Sequence, residues 1–239
     1  MSLSCSGIRK RFGGFVALND VSVSVDEGQI LGIAGPNGAG KTTLFDVISG
    51  YVKQDSGRVE LNGRDVTKLP AHARARLGLA RTFQSPLVPG ELSVGETLEA
   101  ARIAWSPKLA RDEVMTARGL AHFRADDREL STRLDTLDRR KLLLTCLLIR
   151  RPSVLMLDEP CSGLLQDEID EIDGIIRGLR DATRMAVIVV EHRLELLSAI
   201  AERVIVLDEG RWIAEGPPQE VFADPAVRAA YFETPQRAA

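Results

Sequence analysis

The sequence predicts an α/β fold, and three apolar runs carry that prediction. Residues 30–33 are apolar and lead into a glycine-rich loop, after which the pattern takes helical spacing. Residues 154–157 and 185–190 are unbroken apolar runs, as expected of strands that are buried on both faces of a parallel sheet. Helical patterns separate these runs along the chain. We therefore predict a parallel sheet that is covered by helices.

Composition limits the classes of function. With 239 residues, 44% of them hydrophobic, the chain can form one large domain or a domain with a subdomain. Its net charge is −3 and its basic residues are interspersed with acidic ones, so we expect no nucleic-acid partner. The three cysteines lack C-x-x-C spacing, which argues against disulfides and zinc and favours a reducing cytosol.

The longest nearly pure apolar run, residues 142–149, is far shorter than the ~20 residues that span a bilayer. Any membrane association is therefore expected to go through a partner.

The loop after the first apolar run has the composition of a phosphate-binding loop. Its glycines allow the backbone to aim successive N–H groups into one concavity, at the positive end of the following helix. Lys41 can reach the β and γ phosphates, and the Thr42 hydroxyl can ligate Mg²⁺. We therefore expect a nucleoside triphosphate with Mg²⁺; a turn that binds nothing is the alternative. The predicted contact residues are Gly35, Pro36, Asn37, Gly38, Ala39, Gly40, Lys41, Thr42 and Thr43.

Upstream of this loop, residues 3–9 and 17–25 have the pattern of strands. Phe12 stands between them, next to two glycines. It is either a platform on which adenine stacks or a hydrophobic plug in a turn.

The middle of the chain changes character at Gln84, which ends a predicted strand over residues 79–84. Before it, residues 57–61 predict a short strand and residues 70–76 a short helix. From residue 85 to about 134, helical segments (94–105 and 111–123) alternate with Pro and Gly, which indicates a helical insertion in the α/β core. A further helix is predicted over residues 139–149.

Polar residues follow the two later apolar runs. Asp158 and Glu159 come at the carboxyl end of one strand, where open α/β sheets place their ligands. Asp158 can hold Mg²⁺, directly or through water, and Glu159 can polarise the water that attacks the γ-phosphate. The alternative is a solvated acidic turn. His192 follows the other strand at the same edge, where it can sense the γ-phosphate or serve as an ordinary strand-end histidine.

The remaining pattern predicts a helix over residues 168–179, a hairpin of residues 204–207 and 211–214, and a terminal helix over residues 225–232.

Together these motifs resemble the ATP-binding-cassette (ABC) ATPases over essentially the whole chain. Residues 35–42 match the phosphate loop, Gln84 the Q-loop glutamine, Asp158 and Glu159 the end of the Walker B strand, and His192 the switch histidine. Residues 11–14, 81–84, 155–160 and 190–192 look most like the ATPase subunits of branched-chain amino-acid uptake systems, and residues 216–231 agree with that.

The resemblance implies a P-loop NTPase core with a parallel sheet, an N-terminal antiparallel β subdomain and a helical insertion. Residues 1–239 would form one ABC ATPase domain, in which residues 1–84 and 151–239 are the core and residues 85–150 the helical subdomain. It also implies that Glu159, His192 and Gln84 are catalytic, and that Gln84 joins Thr42 and Asp158 at the metal.

In function, the resemblance implies an ATP-hydrolysing subunit at the cytoplasmic face of the cell membrane. It would energise import of amino acids or related small polar solutes through separate transmembrane permease subunits, with a solute-binding protein as an indirect partner. Residues 85–99, with the apolar Leu87, Val88 and Leu92, are predicted to contact a permease helix or else to pack on their own subdomain. The alternatives are a soluble ABC ATPase without a transport role and a nucleotide-binding regulatory subunit with little turnover.

The chain departs from the family at the signature sequence, which in this family completes the ATP site of a second cassette. Residues 134–138 stand in its place, with Asp135 for the serine and Leu137 for the second glycine. A second register, residues 130–134, keeps Ser131 but also lacks the glycines. Leu165 stands where the family has Asp or Asn. We therefore predict a heterodimer with a different ABC ATPase subunit rather than a homodimer.

Overall fold

A computed structural model describes residues 1–84, 87–106 and 108–232. The N-terminal part forms an antiparallel sheet, because alternating apolar side chains such as Val21, Val23 and Val25 give its second strand one buried face. Its strands are β1 (Leu3–Phe12), β2 (Phe15–Val25), β4 (Ser56–Leu61) and β5 (Arg64–Asp65), in the order β2-β1-β4-β5.

The other sheet is parallel except for one edge strand, and it contains the three apolar runs. Its strands are β3 (Ile30–Ala34), β6 (Leu79–Arg81), β7 (Val154–Asp158), β8 (Ala186–Val190), β9 (Arg203–Asp208) and β10 (Arg211–Gly216). The order is β10-β9-β3-β8-β7-β6, with β10 antiparallel to β9. Every residue of β3, β7 and β8 is buried, as the unbroken apolar pattern predicts.

Helices cover both faces of this sheet. They are α1 (Lys41–Ser49), α2 (Ala71–Arg76), α3 (Val94–Trp105), α4 (Asp112–Leu120), α5 (Thr136–Leu148), α6 (Gln166–Thr183), α7 (Leu194–Ile200), α8 (Pro218–Ala223) and α9 (Pro225–Phe232). Alternate residues of β7 enter different cores: Leu155 and Leu157 belong to the core that includes α3, α5 and α6, whereas Val154 and Met156 belong to the core shared by α1 and the antiparallel sheet. The predicted α/β fold, with its antiparallel subdomain and helical insertion, is confirmed.

Three differences from the sequence prediction have local causes, and a fourth is a set of short elements. The strand ending at Gln84 is shorter than predicted: after Arg81, Thr82 still donates its N–H to Met156, but the N–H of Asp158 donates to the Thr82 hydroxyl instead of to a carbonyl of β6. Helix α4 ends at Leu120 because His122 takes a left-handed conformation, with φ +49°. Helix α5 begins at Thr136, three residues early, because Asp135 caps it. The short elements β5, α7 and α8 were not predicted. Ser85 and Pro86, the start of the predicted insertion, lie outside the described residues.

Arg74 joins α2 to the end of α1. Its guanidinium is buried and donates hydrogen bonds to the carbonyl oxygens of Val47 (2.7 Å) and Ile48 (2.6 Å). These carbonyls lie in the last turn of α1, where backbone donors become scarce; Val47 also accepts the N–H of Gly50 at 3.2 Å. Arg74 thus caps the carboxyl end of the helix whose amino end carries the phosphate loop.

In the part of the chain that the structure describes, no helix is both long and apolar enough to cross a membrane.

Candidate nucleotide site

The predicted site residues meet at the carboxyl edge of the parallel sheet. The phosphate loop follows β3, His192 follows β8, and Glu159 follows β7, and these three strands are neighbours in the order β3-β8-β7. Gln84 lies three residues beyond β6, the next strand along. The strand order alone therefore explains how residues that are far apart in the sequence reach one edge.

The phosphate loop leads directly into the amino end of α1. Gly40 is the N-cap, makes no side-chain cap, and has φ +101°; a Cβ there would lie 2.6 Å from the carbonyl oxygen of Ala17. The first turn of α1 contains no acidic residue. No side chain thus occupies the N–H groups at this helix end, which leaves them available to an anion.

The amino group of Lys41 is tucked into the loop. Nζ donates hydrogen bonds to the carbonyl oxygens of Gly35 (2.6 Å) and Pro36 (2.9 Å). Burial lowers the pKa of Lys41, while the negative charges of Glu159 and Asp158 oppose that shift. The lysine therefore sits between the loop and the two carboxylates that follow β7.

Glu159 is held by its neighbours from two adjacent strands. Its Oε2 accepts a hydrogen bond from Nε2 of Gln84 at 3.0 Å, and its Oε1 lies 4.0 Å from Nδ1 of His192. Its backbone is in the left-handed region, with φ +46°, and its N–H donates to the carbonyl oxygen of Val190 at 3.0 Å. The three residues predicted to be catalytic are therefore in one cluster. Of the three, Glu159 alone has the left-handed backbone conformation, which is of the kind that concentrates at functional sites.

Asp158 has a partner that the sequence analysis missed. Its Oδ2 accepts a hydrogen bond from Arg81 at 3.1 Å, and both side chains are almost fully buried. Burial raises the pKa of Asp158, whereas the hydrogen bond and charge of Arg81 lower it. Arg81 belongs to a segment that the sequence analysis singled out, but a buried ion pair between β6 and β7 is visible only once the strands are paired.

Two other contacts at this edge were also missed. The buried Glu191, next to His192, accepts the N–H of Cys161 at 3.0 Å and so ties the β8 end to the turn after β7. The hydroxyl of Tyr231, on α9, accepts the N–H of Gly35 at 2.5 Å. Burial raises the pKa of Tyr231 to about 12.

Phe12 lies at the tip of the β1–β2 hairpin, opposite Phe15. The two residues are 50% and 61% exposed, so Phe12 is not a buried plug. The hairpin strand β2 reaches the phosphate loop at Ala17, beside Gly40. An exposed aromatic surface therefore adjoins the loop, and Phe15 is a second candidate for the stacking role.

Hard oxygen donors suited to Mg²⁺ are present at the edge: the exposed Thr42 hydroxyl, the Asp158 carboxylate and the Gln84 amide. Among the described residues, no group of three His, Cys, Asp or Glu side chains could hold a metal by itself. These donors fit a cation that takes its other oxygens from a bound phosphate chain.

At the predicted signature, the structure favours residues 134–138 over the alternative register. Asp135 is the N-cap of α5, and its carboxylate accepts the N–H of Asp138 at 2.8 Å. Ser131, the serine of the other register, is fully buried and its hydroxyl lies 3.0 Å from that of Thr97. Leu137 is partly buried against the protein's own core, and Leu165 is 75% exposed.

The phosphate loop lies between a buried strand and a helix, and an amide, a carboxylate and a histidine follow along the same sheet edge. This arrangement defines the class of P-loop nucleotide hydrolases. A model of the ABC transporter family matches residues 18–162, more than half of the sequence. The chain belongs to this family and is an ABC ATPase. A model described as "branched-chain amino acid ATP-binding cassette transporter" matches residues 213–232.

Curated relatives agree over almost the full length. The chain is 32% identical to the high-affinity branched-chain amino acid transport ATP-binding protein BraF of Pseudomonas aeruginosa, covering 96% of this chain and 97% of the relative. It is 34% identical to LivG of Salmonella typhimurium, which has the same description and the same coverage. It is also 34% identical to the lipopolysaccharide export system ATP-binding protein LptB of Acidithiobacillus ferridurans, covering 96% of each.

Solved structures support the same family. The ADP conformation of MJ1267, an ATP-binding cassette of an ABC transporter, superposes with a TM-score of 0.89 at 28% identity and covers 98% of this chain and 99% of that one. A nucleotide-free ATP-binding cassette from an ABC transporter superposes with a TM-score of 0.87 at 28% identity, with 97% and 98% coverage.

Proposed function

We propose that this chain hydrolyses ATP to energise the import of amino acids or related small polar solutes through separate permease subunits. The observation that carries the proposal is the cluster of Glu159, Gln84 and His192 beside the phosphate loop. In this reading the chain works at the cytoplasmic face of the membrane, attached through the permease, and receives its solute indirectly from a solute-binding protein.

Each site residue has a role that its position supports. Lys41 neutralises phosphate charge. To bind its amino group, a phosphate oxygen would compete with the carbonyl oxygens of Gly35 and Pro36, which now accept its hydrogen bonds. Thr42, Gln84 and Asp158 hold Mg²⁺, which supplies charge neutralisation at the transferring phosphoryl group. Glu159 polarises the attacking water and His192 contacts the γ-phosphate. Phe12 stacks on adenine, and the remaining residues from Gly35 to Thr43 cradle the phosphates.

The nature of the solute rests on the relatives. BraF and LivG carry names for branched-chain amino-acid transport, and a second model of that kind matches residues 213–232. LptB, at the same identity as LivG, is named for lipopolysaccharide export. The test is purification of the native complex with its hydrophobic subunits, followed by ATPase assays. Stimulation by amino acids together with a solute-binding protein supports import; stimulation by a lipopolysaccharide alone contradicts it.

We infer that the working unit is a heterodimer with a different ABC ATPase subunit. The carboxylate of Asp135 occupies an N–H group at the amino end of α5, where a signature would hold the partner's γ-phosphate. A second acid, Asp138, lies in the same turn. Like charges ~4 Å apart repel by ~1 kcal/mol in water and by ~4 kcal/mol at an effective dielectric constant of 20. The exposed Leu165 also lacks the carboxylate or amide of the family.

In such a heterodimer, this chain's phosphate loop forms one good site with a normal signature from the partner. The purified chain alone should therefore show little ATPase activity at any concentration, whereas the native complex should hydrolyse ATP. Cooperative hydrolysis by the isolated chain would contradict the heterodimer and favour a homodimer.

For the permease contact, we propose the segment after Gln84, within a helical subdomain of residues 85–150 that is set on a core of residues 1–84 and 151–239. Leu87 is 84% exposed, whereas Val88 packs on the core and Leu92 is partly buried. The predicted apolar patch is therefore narrower than the sequence indicates and centres on Leu87. Leu87→Glu should reduce complex assembly or transport, while Lys108→Glu, at an exposed position outside that segment but within the helical subdomain, serves as the control.

A regulatory subunit with little turnover is the second candidate, and the capped α5 terminus favours it. The two candidates differ at Glu159. If the chain only binds nucleotide, Glu159→Gln leaves the ATPase rate of the native complex unchanged; if it hydrolyses ATP, that rate falls.

A further inference from the structure

Arg81 bridges the two structural elements that carry the proposed metal ligands. One terminal nitrogen, Nη1, donates to Oδ1 of Asp46 at 2.6 Å and to Oγ of Ser49 at 2.9 Å, both on α1. The other, Nη2, donates to Oδ2 of Asp158 at the end of β7. Asp46 follows Thr42 by four residues, one turn along the same face of α1. The guanidinium therefore links the helix that carries Thr42 to the strand that carries Asp158.

The plane of this guanidinium is also restrained. Its carbon lies 5.4 Å from the ring centre of Phe45 and 5.0 Å from that of Phe83. Its side chain is 6% exposed. The guanidinium is planar, is held between aromatic rings and donates to three oxygens, so it loses little conformational freedom when it forms these bonds. A lysine at this position could not make the same set of contacts.

We propose that Arg81 is a positioning residue of the nucleotide site: it fixes the Asp158 carboxylate relative to the Thr42 hydroxyl and so sets the affinity for Mg²⁺. This inference rests on the proposed nucleotide site. Groups one step removed from a metal orient its ligands, and their loss commonly weakens metal binding by about 10–100-fold. Arg81 itself does not touch the metal in this proposal, since both of its terminal nitrogens already donate to carboxylate and hydroxyl oxygens.

The experiment measures binding of a fluorescent ATP analogue to the purified full-length chain, in EDTA and across a Mg²⁺ titration. Arg81→Gln should raise the Mg²⁺ concentration for half-maximal enhancement of binding by about tenfold, because Asp158 loses its restraint. Affinity in EDTA should change less than about twofold, since the phosphate loop is intact. Arg81→Lys should show the same defect, because it keeps the charge and loses the fork.

Arg74→Gln is the matched control. Arg74 is also a buried arginine that bonds to α1, but its contacts are the carbonyls of Val47 and Ile48 at the other end of that helix. It should lower the thermal midpoint of unfolding and leave the Mg²⁺ midpoint unchanged. If Arg81→Gln does not fold, Asp46→Asn provides the test. It removes the charged partner of Arg81 on α1 and leaves the Ser49 hydroxyl, so it should raise the Mg²⁺ midpoint by about threefold.

The outcomes separate this inference from the proposed function. A wild-type Mg²⁺ midpoint in Arg81→Lys and Asp46→Asn, or an equal rise in Arg74→Gln, would overturn the bridge and leave the nucleotide site standing. Failure of the wild-type chain to bind the analogue with Mg²⁺ would overturn both.

Discussion

The amino ends of α1 and α5 present the same backbone chemistry and use it in opposite ways. At α1 the N-cap is Gly40, which has no side chain, and the first turn has no acid. At α5 the N-cap is Asp135, whose carboxylate already accepts an N–H, and the first turn adds Asp138. Both helix ends carry the partial positive charge that attracts an anion. Of these two helix ends, only that of α1 leaves its partial positive charge available to an anion from outside the chain.

This contrast shows that a helix amino end becomes an anion site through what is missing from it as much as through its N–H groups. An aspartate cap stabilises its own helix by about 1 kcal/mol and occupies the position that a phosphate would take. The amino end of α5 thus contributes to local stability, whereas the amino end of α1 is available for ligand binding. If activity follows the same division, changes at the α1 edge should affect ATP hydrolysis far more than changes at α5.

The largest effect is expected at the α1 edge, from Glu159→Gln in the native complex. Loss of a general base should lower the ATP hydrolysis rate by about 10²–10⁴-fold, while ATP affinity changes little. Steady-state phosphate release and nucleotide binding measure the two quantities. Glu195→Gln, at an exposed position on α7, is the control. An unchanged rate would show that the working carboxylate lies elsewhere.

Lys41→Ala should come next. It removes a charge-assisted contact to phosphate worth about 1.5–3 kcal/mol, so ATP affinity should fall by about 10–100-fold. Titration calorimetry on the isolated chain measures this, and Lys53→Ala, at an exposed lysine, should bind as the wild type does. An ATP affinity of Lys41→Ala equal to that of the wild type would contradict the assignment of the α1 amino end as the phosphate site.

Restoring a family-like signature at α5 should have a much smaller effect on the complex. Asp135→Ser together with Leu137→Gly should change the ATPase rate by less than about threefold, because the productive ATP lies on this chain's own loop. A separate variant, Asp135→Ala, should cost about 1 kcal/mol of unfolding free energy through loss of the cap. A large gain in rate from the double variant would mean that α5 limits turnover.

The smallest effect concerns the charge at α5. Burial, with repulsion from Asp135, raises the pKa of Asp138 above its unfolded value. A raised acid pKa means that the folded state loses stability as the pH rises from 3.8 through the folded pKa. Asp138→Asn should therefore gain only about 0.3 kcal/mol at pH 7.5, because solvent screens this partly exposed carboxylate, and nothing at pH 3, as measured by urea unfolding. A gain at both pH values would assign the effect to something other than charge.

Much of this site could be predicted because its signals are local. The apolar runs of β3, β7 and β8 and the residues that follow them are contiguous in sequence, so the sheet edge could be inferred from one-dimensional pattern. The family model and relatives then confirm the class of protein.

What the sequence analysis missed depends on pairing between distant segments. Arg81 and Asp158 meet because β6 lies beside β7, and Arg81 gave no periodic or spacing signal of its own. The helices α7 and α8 have seven and six residues, too short for a helical apolar period to emerge. The register at the signature was ambiguous because Ser131 and Asp135 are both good caps by residue type; burial of Ser131 resolves it.

The position of β3 in the sheet has a consequence for the order of events during synthesis. The phosphate loop is made early, yet β3 pairs on one side with β8 and on the other with β9, both of which come far later in the chain. The N–H of Gly35, the first glycine of the phosphate loop, donates a hydrogen bond to the hydroxyl of Tyr231, which is 196 positions away. Contacts between such distant segments close large loops and form slowly. A nascent chain therefore carries the complete ATP-binding motif long before it can bind ATP, and no fragment that ends before β8 should do so.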